Sequence, residues 1–155
     1  MNELIKGTAY LLGDDINTDD IVPSHTLTMR DAKEMANYTL EYIAPNFAKK
    51  AKEQITIILA GDNFGTGSSR EEAVNVFRIL GVKAIIAKSF SRIYFRNLIN
   101  LGIPGITLDW RENQFSEGDL LDLNLIEGKI VNKTKSLVIS FPKLPSFLMK
   151  IIEAG

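Results

Sequence analysis

Short apolar runs along the first part of the chain alternate with stretches of helical periodicity. Two β-branched runs, at residues 55–60 and 84–87, predict buried strands. Between them, residues 68–80 carry apolar side chains at three- and four-residue intervals, which predicts a helix that Gly81 closes. A strand, a helix and a second strand in this order indicate a parallel pair, and ligands of such units bind beyond the carboxyl ends of the strands.

The rest of the chain predicts further strands and helices. We expect a short strand at residues 7–12 that leads into an ordered loop, one or two surface helices within 30–38 and 41–52, a helix at 91–101, a strand at 103–108, an antiparallel meander over 119–139 with its turn at 127–129, and a last helix at 146–153. These elements predict an α/β fold with a mixed sheet, in a single domain over residues 1–155.

Composition and charge exclude two classes of partner. Eighteen basic residues stand against nineteen acidic ones without a block of like charge, so we expect no nucleic-acid partner. The longest apolar runs are far shorter than the roughly 20 residues that span a membrane, so we expect no membrane partner either. The N-terminus lacks the cationic and apolar pattern of a secretory signal, which predicts a cytoplasmic location.

The chain contains no cysteine and a single histidine, His25. Disulfides, thiol nucleophiles and cysteine-ligated iron–sulfur clusters are therefore excluded for this chain, and so is a histidine-rich metal site. We expect the chain itself to bind no metal or cofactor. An imidazole in a pocket loop could aid the binding of a carboxylate. Two roles are open for His25. It either contacts a bound carboxylate or lies exposed in its loop.

A motif rich in glycine and serine follows the first buried strand, with the sequence GTGSSREE at residues 65–72. The two glycines allow the backbone to approach a ligand closely, and the following helix directs free amides towards it. We therefore expect the ligand to be an anion. Arg70 adds a planar guanidinium that can hold a carboxylate by two hydrogen bonds. Helix capping is the alternative, because each serine has a glutamate three residues later, which is the spacing of a capping box.

Three segments together resemble the small subunit, or swivelling domain, of the aconitase superfamily. They are GDDINTDDIVP at residues 13–23, DNFGTGSSREEA at 62–73 and AKSFSRIYFRNL at 87–98. The resemblance implies a three-layer β/β/α domain that sits over a [4Fe–4S] cluster held by cysteines of a separate large subunit. It also implies a hydro-lyase that dehydrates a 2-hydroxy di- or tricarboxylate and rehydrates the product with its hydroxyl moved.

Within these segments the resemblance assigns roles to single residues. Ser68 matches the catalytic base of the family, acting as an alkoxide, and Arg70 matches the arginine that pairs with a substrate carboxylate. A free serine hydroxyl is too weak an acid for this role, so we expect loop amides, the helix terminus and Arg70 to stabilise the oxyanion. Ser69 is a candidate contact to substrate or backbone. Thr18 and Asp19 are weaker candidates, whose role in the family looks like ordering the loop that follows.

The variable loop, residues 24–29, is the part that in this family reaches the group by which one substrate differs from another, and Arg30 lies just beyond it at the expected start of a helix. Relatives that act on tricarboxylates place an arginine in it, whereas isopropylmalate enzymes place apolar residues. Here Thr26, Leu27 and Thr28 are the candidate substrate contacts. A third carboxylate would lack a cation, and burying it unpaired is costly, so we expect an alkyl-branched substrate such as isopropylmalate, citramalate or dimethylmalate.

The leading hypothesis is therefore the small subunit of a heteromeric hydro-lyase of leucine biosynthesis, with a large iron–sulfur subunit as its partner. Two alternatives stay open. A homoaconitase-type enzyme would act on a tricarboxylate, and a stand-alone anion-binding module would catalyse nothing. A partner gene in the same operon, encoding three cluster-ligating cysteines, would separate the enzyme from the binding module.

Overall fold

The computed structural model describes residues 4–154, and seven strands in this range form one mixed sheet. The strands are β1 (Leu4–Leu11), β2 (Thr56–Ala60), β3 (Ala84–Ala87), β4 (Gly105–Thr107), β5 (Leu120–Asn124), β6 (Lys129–Asn132) and β7 (Leu137–Ser140). Their order across the sheet is β4-β3-β2-β1-β5-β6-β7. Strands β1 to β4 are parallel, and β5 to β7 continue from β1 as an antiparallel meander.

Six helices lie in the same range. They are α1 (Thr18–Ile21), α2 (Ala32–Ala36), α3 (Phe47–Glu53), α4 (Glu72–Ile79), α5 (Arg92–Asn100) and α6 (Ser146–Ala154). Between 4 and 154 there is no helix with the length and apolar character that crossing a membrane requires.

The parallel half of the sheet is the buried half. Every residue of β2 and β3 is buried, as the continuous β-branched runs predict for strands covered on both faces. Ile57 of β2 lies opposite Ala84 of β3, which confirms the predicted parallel pair. Strand β1 joins the other side of β2 in the same direction, with Ala9 opposite Ile57. The carboxyl ends of β1, β2 and β3 therefore meet at one edge of the sheet.

The sheet curls so that its antiparallel half covers one face of its parallel half. Ile57 and Ile86 of the parallel strands share one buried cluster with Leu121, Leu123 and Ile130 of the meander. On the opposite face, the alternate residues of the same parallel strands pack against the helices, with Phe47, Phe64 and Phe77 among the largest buried side chains. Two β layers and one α layer result, so the expected three-layer β/β/α architecture is confirmed.

The predicted strands and helices are present, with two differences near the carboxyl edge. The helix expected over residues 68–80 begins only at Glu72, so both serines of the motif lie outside it. The loop expected after β1 contains the short helix α1, which the sequence interpretation did not predict. Asn17 and Asp20 start this helix with a reciprocal capping box, each side chain accepting from the backbone amide of the other.

Candidate functional site

Three loops meet at the carboxyl edge of the parallel strands. One follows β1, the second follows β2, and the third follows β3. They correspond to the three segments on which the family resemblance rests, residues 13–23, 62–73 and 87–98. The fold therefore brings together motifs that are far apart in the sequence. We call the second loop, residues 61–71, the glycine–serine loop.

Backbone hydrogen bonds join the first loop to the glycine–serine loop. The donor and acceptor pairs are Asp15 N to Asp62 O (2.7 Å), Gly65 N to Ile16 O (2.7 Å) and Thr18 N to Thr66 O (2.8 Å). The side chain of Asn63 adds a fourth bond, from Nδ2 to Oδ1 of Asp15 at 3.0 Å. The glycine–serine loop is thus held along its length by the segment that leads into α1 and by the first residue of that helix.

The third loop holds the glycine–serine loop from the other side through Ser89. Its hydroxyl accepts a hydrogen bond from the amide of Asn63 at 2.8 Å, and its carbonyl accepts one from the amide of Phe64 at 3.0 Å. Ser89 therefore supports the site and does not cap α5, which follows Ser91. A hydroxyl two residues before a predicted helix is equally compatible with capping, so the sequence alone could not decide between these roles.

Two glycines and a buried tyrosine shape the middle of the loop. Gly65 and Gly67 have φ angles of +87° and +97°, in the region that side chains rarely adopt. A Cβ on Gly65 would lie 2.2 Å from Cγ of Tyr94, so the backbone rests directly on this ring. The hydroxyl of Tyr94 donates to the carbonyl of Ala73 in α4 at 2.7 Å, and burial raises the pKa of Tyr94 well above its usual value of 10.0.

Ser68 and Ser69 are exposed at the rim of this edge and do not cap α4. The cap position is Glu71, which makes no side-chain cap hydrogen bond. The capping interpretation of the motif is therefore wrong. Within residues 4–154, the amides of Ser68, Ser69 and Arg70 donate no backbone hydrogen bond. Amides that are free in this way can stabilise an oxyanion or bind a carboxylate.

Helix α1 contacts the glycine–serine loop at two points, through Thr18 and Asp19. The hydroxyl of Thr18 donates to the carbonyl of Ser68 at 2.8 Å. Nη1 of Arg70 lies 2.8 Å from Oδ1 of Asp19, yet this buried nitrogen has no hydrogen bond of good geometry. The guanidinium is thus paired in charge with Asp19, and its Nη1 hydrogen-bonding capacity is not satisfied within residues 4–154. These contacts bring the weaker candidates Thr18 and Asp19 into the site beside Ser68 and Arg70.

The variable loop begins with a single 3-10 turn, Ser24–Thr26. Thr26 is fully buried, and its hydroxyl donates to the carbonyl of Pro23 at 2.7 Å. Leu27 and Thr28 are exposed. Of the three substrate contacts predicted in this loop, the structure turns two outward and packs Thr26 inside.

His25 lies on the same turn but faces a different segment. Its Nε2 atom is 2.9 Å from Oε2 of Glu41. In the described part of the chain, neither a hydrogen bond nor an aromatic contact joins His25 to the glycine–serine loop. Its polar and ring contacts go to residues 38–42 instead.

The residues of this chain do not fit an iron–sulfur cluster. The sequence contains no cysteine, and among residues 4–154 no group of three or more histidine, aspartate or glutamate side chains is placed to hold a metal ion. The site offers instead an exposed serine hydroxyl, unbonded amides and a partly buried arginine. This combination suits binding of an organic anion and stabilisation of an alkoxide beside it.

The fold and the site together define an α/β domain that presents the glycine–serine loop, with its exposed serines and unbonded amides, at the carboxyl edge of the parallel strands. The chain belongs to the aconitase C-terminal domain family, whose model matches residues 14–111. It is 39% identical over 155 residues to the 3-isopropylmalate dehydratase small subunit 1 of Methanopyrus kandleri, covering all of this chain and 91% of that protein. It is 43% identical over 154 residues to the methanogen homoaconitase small subunit of Methanocaldococcus jannaschii, covering 98% and 88%.

A solved structure supports the same assignment. The crystal structure of 3-isopropylmalate dehydratase from Methanocaldococcus jannaschii matches with a TM-score of 0.90 at 40% identity. The match covers 98% of this chain and 89% of that one. The fold predicted from the family resemblance is thus confirmed over nearly the whole chain.

Proposed function

We propose that this chain is the small subunit of a 3-isopropylmalate dehydratase, a hydro-lyase of leucine biosynthesis. Such an enzyme moves the hydroxyl of a 2-hydroxydicarboxylate to the neighbouring carbon by dehydration and rehydration. Full-length relatives of that name support the proposal. The observation that carries it is the placement of Ser68 and Arg70 on one exposed loop, beside free amides, at the carboxyl edge.

In this proposal Ser68 is the base. Its alkoxide takes the proton from the carbon next to the one that bears the hydroxyl, and the same hydroxyl returns a proton during rehydration. An alkoxide needs strong stabilisation, since serine is a very weak acid. The free amides of the loop and the charge of Arg70 supply it from this chain. Because α4 starts at Glu72, the helix terminus lies further from Ser68 than the sequence predicted.

Arg70 has the complementary role of holding a substrate carboxylate. Its Nη1 atom has no well-aligned acceptor, and once Asp19 moves aside a planar carboxylate can form a bidentate pair with the guanidinium. Asp19 keeps the guanidinium oriented towards the rim before the substrate arrives. Ser69, with an exposed hydroxyl, and Thr18, through its bond to the Ser68 carbonyl, complete the proposed site.

The partner is proposed to be a large subunit that carries a [4Fe–4S] cluster. The relatives are named as small subunits, and this chain has no residues that could ligate such a cluster. The open carboxyl edge leaves Ser68 accessible to a second protein. A cytoplasmic location and the absence of nucleic-acid and membrane partners stay predictions of the sequence.

The proposed substrate carries an alkyl branch in place of a third carboxylate. Leu27 and Thr28 are the exposed residues at the tip of the variable loop, and neither can pair with an anion by charge. Arg30 lies just beyond, also exposed. The homoaconitase small subunit, at 43% identity, keeps a tricarboxylate as the second candidate substrate, because whole-chain identity does not separate the two activities.

Changing Thr28→Arg tests the substrate assignment. A new guanidinium would attract a third carboxylate and oppose an alkyl branch, which is worth roughly 1–3 kcal/mol of discrimination. We expect the ratio of kcat/KM for homoaconitate over isopropylmalate to rise about tenfold or more in the reconstituted two-subunit enzyme. A ratio that stays within about twofold of wild type would show that position 28 does not select the substrate.

The same assay separates the candidate functions. Wild-type enzyme that prefers homoaconitate would replace the isopropylmalate proposal with the second candidate. If the wild-type two-subunit enzyme turns over neither a branched malate nor a tricarboxylate, the hydro-lyase proposal is rejected.

A further inference from the structure

His25 fastens the first turn of the variable loop to another part of the chain. Its Nε2 atom lies 2.9 Å from Oε2 of Glu41. Its ring packs edge-on against Tyr38 and Tyr42, with centroid distances of 5.5 and 6.2 Å. All three partners belong to one short segment, residues 38–42, so one side chain joins the loop to that segment by a polar contact and two aromatic ones.

The segment 38–42 is itself fixed to the body of the domain. Leu40 is fully buried, and its amide donates to the carbonyl of Ile21 at 3.2 Å. Its φ angle is +58°, a left-handed conformation that a leucine adopts only where its surroundings impose it. Thr39 is also buried and donates to the carbonyl of Ala36 at 2.7 Å. The partner side of the His25 contact is therefore rigid.

Two backbone hydrogen bonds inside the variable loop connect its first turn to its tip. The amide of Leu27 donates to Ser24 at 3.2 Å, and the amide of Met29 donates to Thr26 at 3.0 Å. These bonds link the turn that carries His25 to the exposed residues Leu27 and Thr28. Holding His25 in place therefore sets the direction in which the tip points.

We propose that His25 and Glu41 form a latch that holds the variable loop in its substrate-facing arrangement. Both are positioning residues for substrate selection, and neither touches the substrate. This inference rests on the proposed function, because it needs Leu27 and Thr28 to face the substrate. It differs from both alternatives that the sequence left open for His25, contact with a bound carboxylate and simple exposure in the loop.

Hydrogen exchange of the isolated chain tests the latch without any catalysis. The net free energy of one hydrogen bond changes a local opening equilibrium by up to about tenfold. We expect the peptide covering residues 24–30 to exchange about threefold to tenfold faster in His25→Ala and in Glu41→Ala. Glu41→Gln keeps a hydrogen-bonding partner of the same shape and should stay near wild type. Glu127→Ala, an exposed carboxylate in the β5–β6 turn, is the matched control and should change nothing.

The double variant distinguishes a shared contact from two independent ones. If His25 and Glu41 act through each other, removing both should speed exchange no more than removing either. The peptide covering the glycine–serine loop should be unaffected in every variant. Unchanged exchange at residues 24–30 in either single variant, or additive effects in the double variant, would overturn the latch.

Kinetics of the reconstituted enzyme test the positioning role. We expect His25→Ala and Glu41→Ala to raise KM for isopropylmalate about threefold to tenfold while kcat stays within about twofold, with Glu41→Gln restoring KM. A wild-type KM in both alanine variants of an active enzyme would refute the positioning role. If the loop exchanges as expected but wild-type enzyme turns over no branched malate, the contact stands and the proposed function fails.

Discussion

In the proposed site, an ion pair with Asp19 orients Arg70, and a substrate carboxylate would take the place of that aspartate. The side chain of Arg70 is 25% exposed, whereas that of Asp19 is 64% exposed, so the two members of the pair differ in mobility. An exposed ion pair is worth little in water, typically below about 1 kcal/mol. A substrate carboxylate can therefore displace Asp19 at small cost, because Asp19 returns to solvent. Asp19 thus orients the guanidinium of Arg70 and can give way to a substrate carboxylate.

Substitutions at Ser68 and Arg70 should separate the base from the carboxylate clamp. In the reconstituted enzyme, Ser68→Ala should lower kcat by about a hundredfold or more with little change in KM, because general-base catalysis contributes about 10²–10⁴. Arg70→Lys should raise KM and also lower kcat, since a lysine cannot make the bidentate pair. Steady-state kinetics on isopropylmalate measure both effects.

The melting temperature provides the control for Ser68. A lost helix cap would cost about 1 kcal/mol, but Ser68 caps nothing here, so Ser68→Ala should leave Tm close to wild type. Ser140→Ala, an exposed serine in β7, is the matched variant and should leave both Tm and kcat unchanged. A Ser68→Ala enzyme with full kcat would exclude this serine as the base.

At the scale of the secondary-structure elements, the apolar pattern predicts the existence of an element more accurately than its first residue. The spacing of Ala73, Val76 and Phe77 correctly predicted α4. The predicted start at residue 68 was wrong: the carbonyl of Ser68 accepts a hydrogen bond from the hydroxyl of Thr18, and α4 begins only at Glu72. Such tertiary contacts override local capping preferences and cannot be read from a local sequence pattern.

Strands and short helices differ in how strongly the sequence marks them. The runs that became β2 and β3 were predicted within one residue, because continuous β-branched segments of that length have few other structures. Helix α1 was missed although the Asn17 and Asp20 pair is a capping signal. A four-residue helix within a turn-rich stretch has no apolar periodicity to support the signal. The curling of the sheet came only from the family resemblance.

Tyr94 joins α5 to α4 beneath the glycine–serine loop, and its contribution to stability should depend on pH. Below about pH 10 the hydroxyl is neutral in the folded and in the unfolded chain. Burial raises the folded pKa, so above about pH 10 only the unfolded chain ionises and the stabilisation is lost. Tyr94→Phe should cost about 1 kcal/mol at pH 8 through the lost bond to Ala73. Its difference from wild type should then shrink as the pH rises past 10.

Urea unfolding of both proteins at pH 8 and at about pH 10.5 measures this change. Tyr42→Phe is the control, because Tyr42 is 69% exposed and its hydroxyl is solvated in both states. Its difference from wild type at the two pH values measures the general effect of removing an exposed phenol hydroxyl. A pH-independent difference for Tyr94→Phe would contradict the assignment of the alkaline loss to this hydroxyl.

At the scale of the whole molecule, the proposed catalytic groups lie at an open edge and supply only half of the required chemistry. Two buried clusters, one on each face of the parallel strands, form the core of the fold. In the proposed function the glycine–serine loop provides a base and a cation, and no group of side chains within residues 4–154 is placed to hold a metal as the Lewis acid for the leaving hydroxyl. The proposal therefore divides the catalytic groups between two proteins. The base and the cation belong to this chain, and the Lewis acid belongs to its proposed partner.

This separation predicts how the purified chain behaves without its partner. It should contain no stoichiometric iron, show no dehydratase activity, and keep the same Tm with or without a chelator, because no metal contributes to its folding. Adding a cluster-loaded large subunit should produce activity that follows the cluster content of that subunit. Metal analysis, thermal unfolding with and without chelator, and turnover before and after mixing measure the three expectations. Iron-dependent turnover by this chain alone would contradict the subunit assignment, since it would require a Lewis acid that no group of cysteine, histidine or carboxylate residues in the described chain can hold.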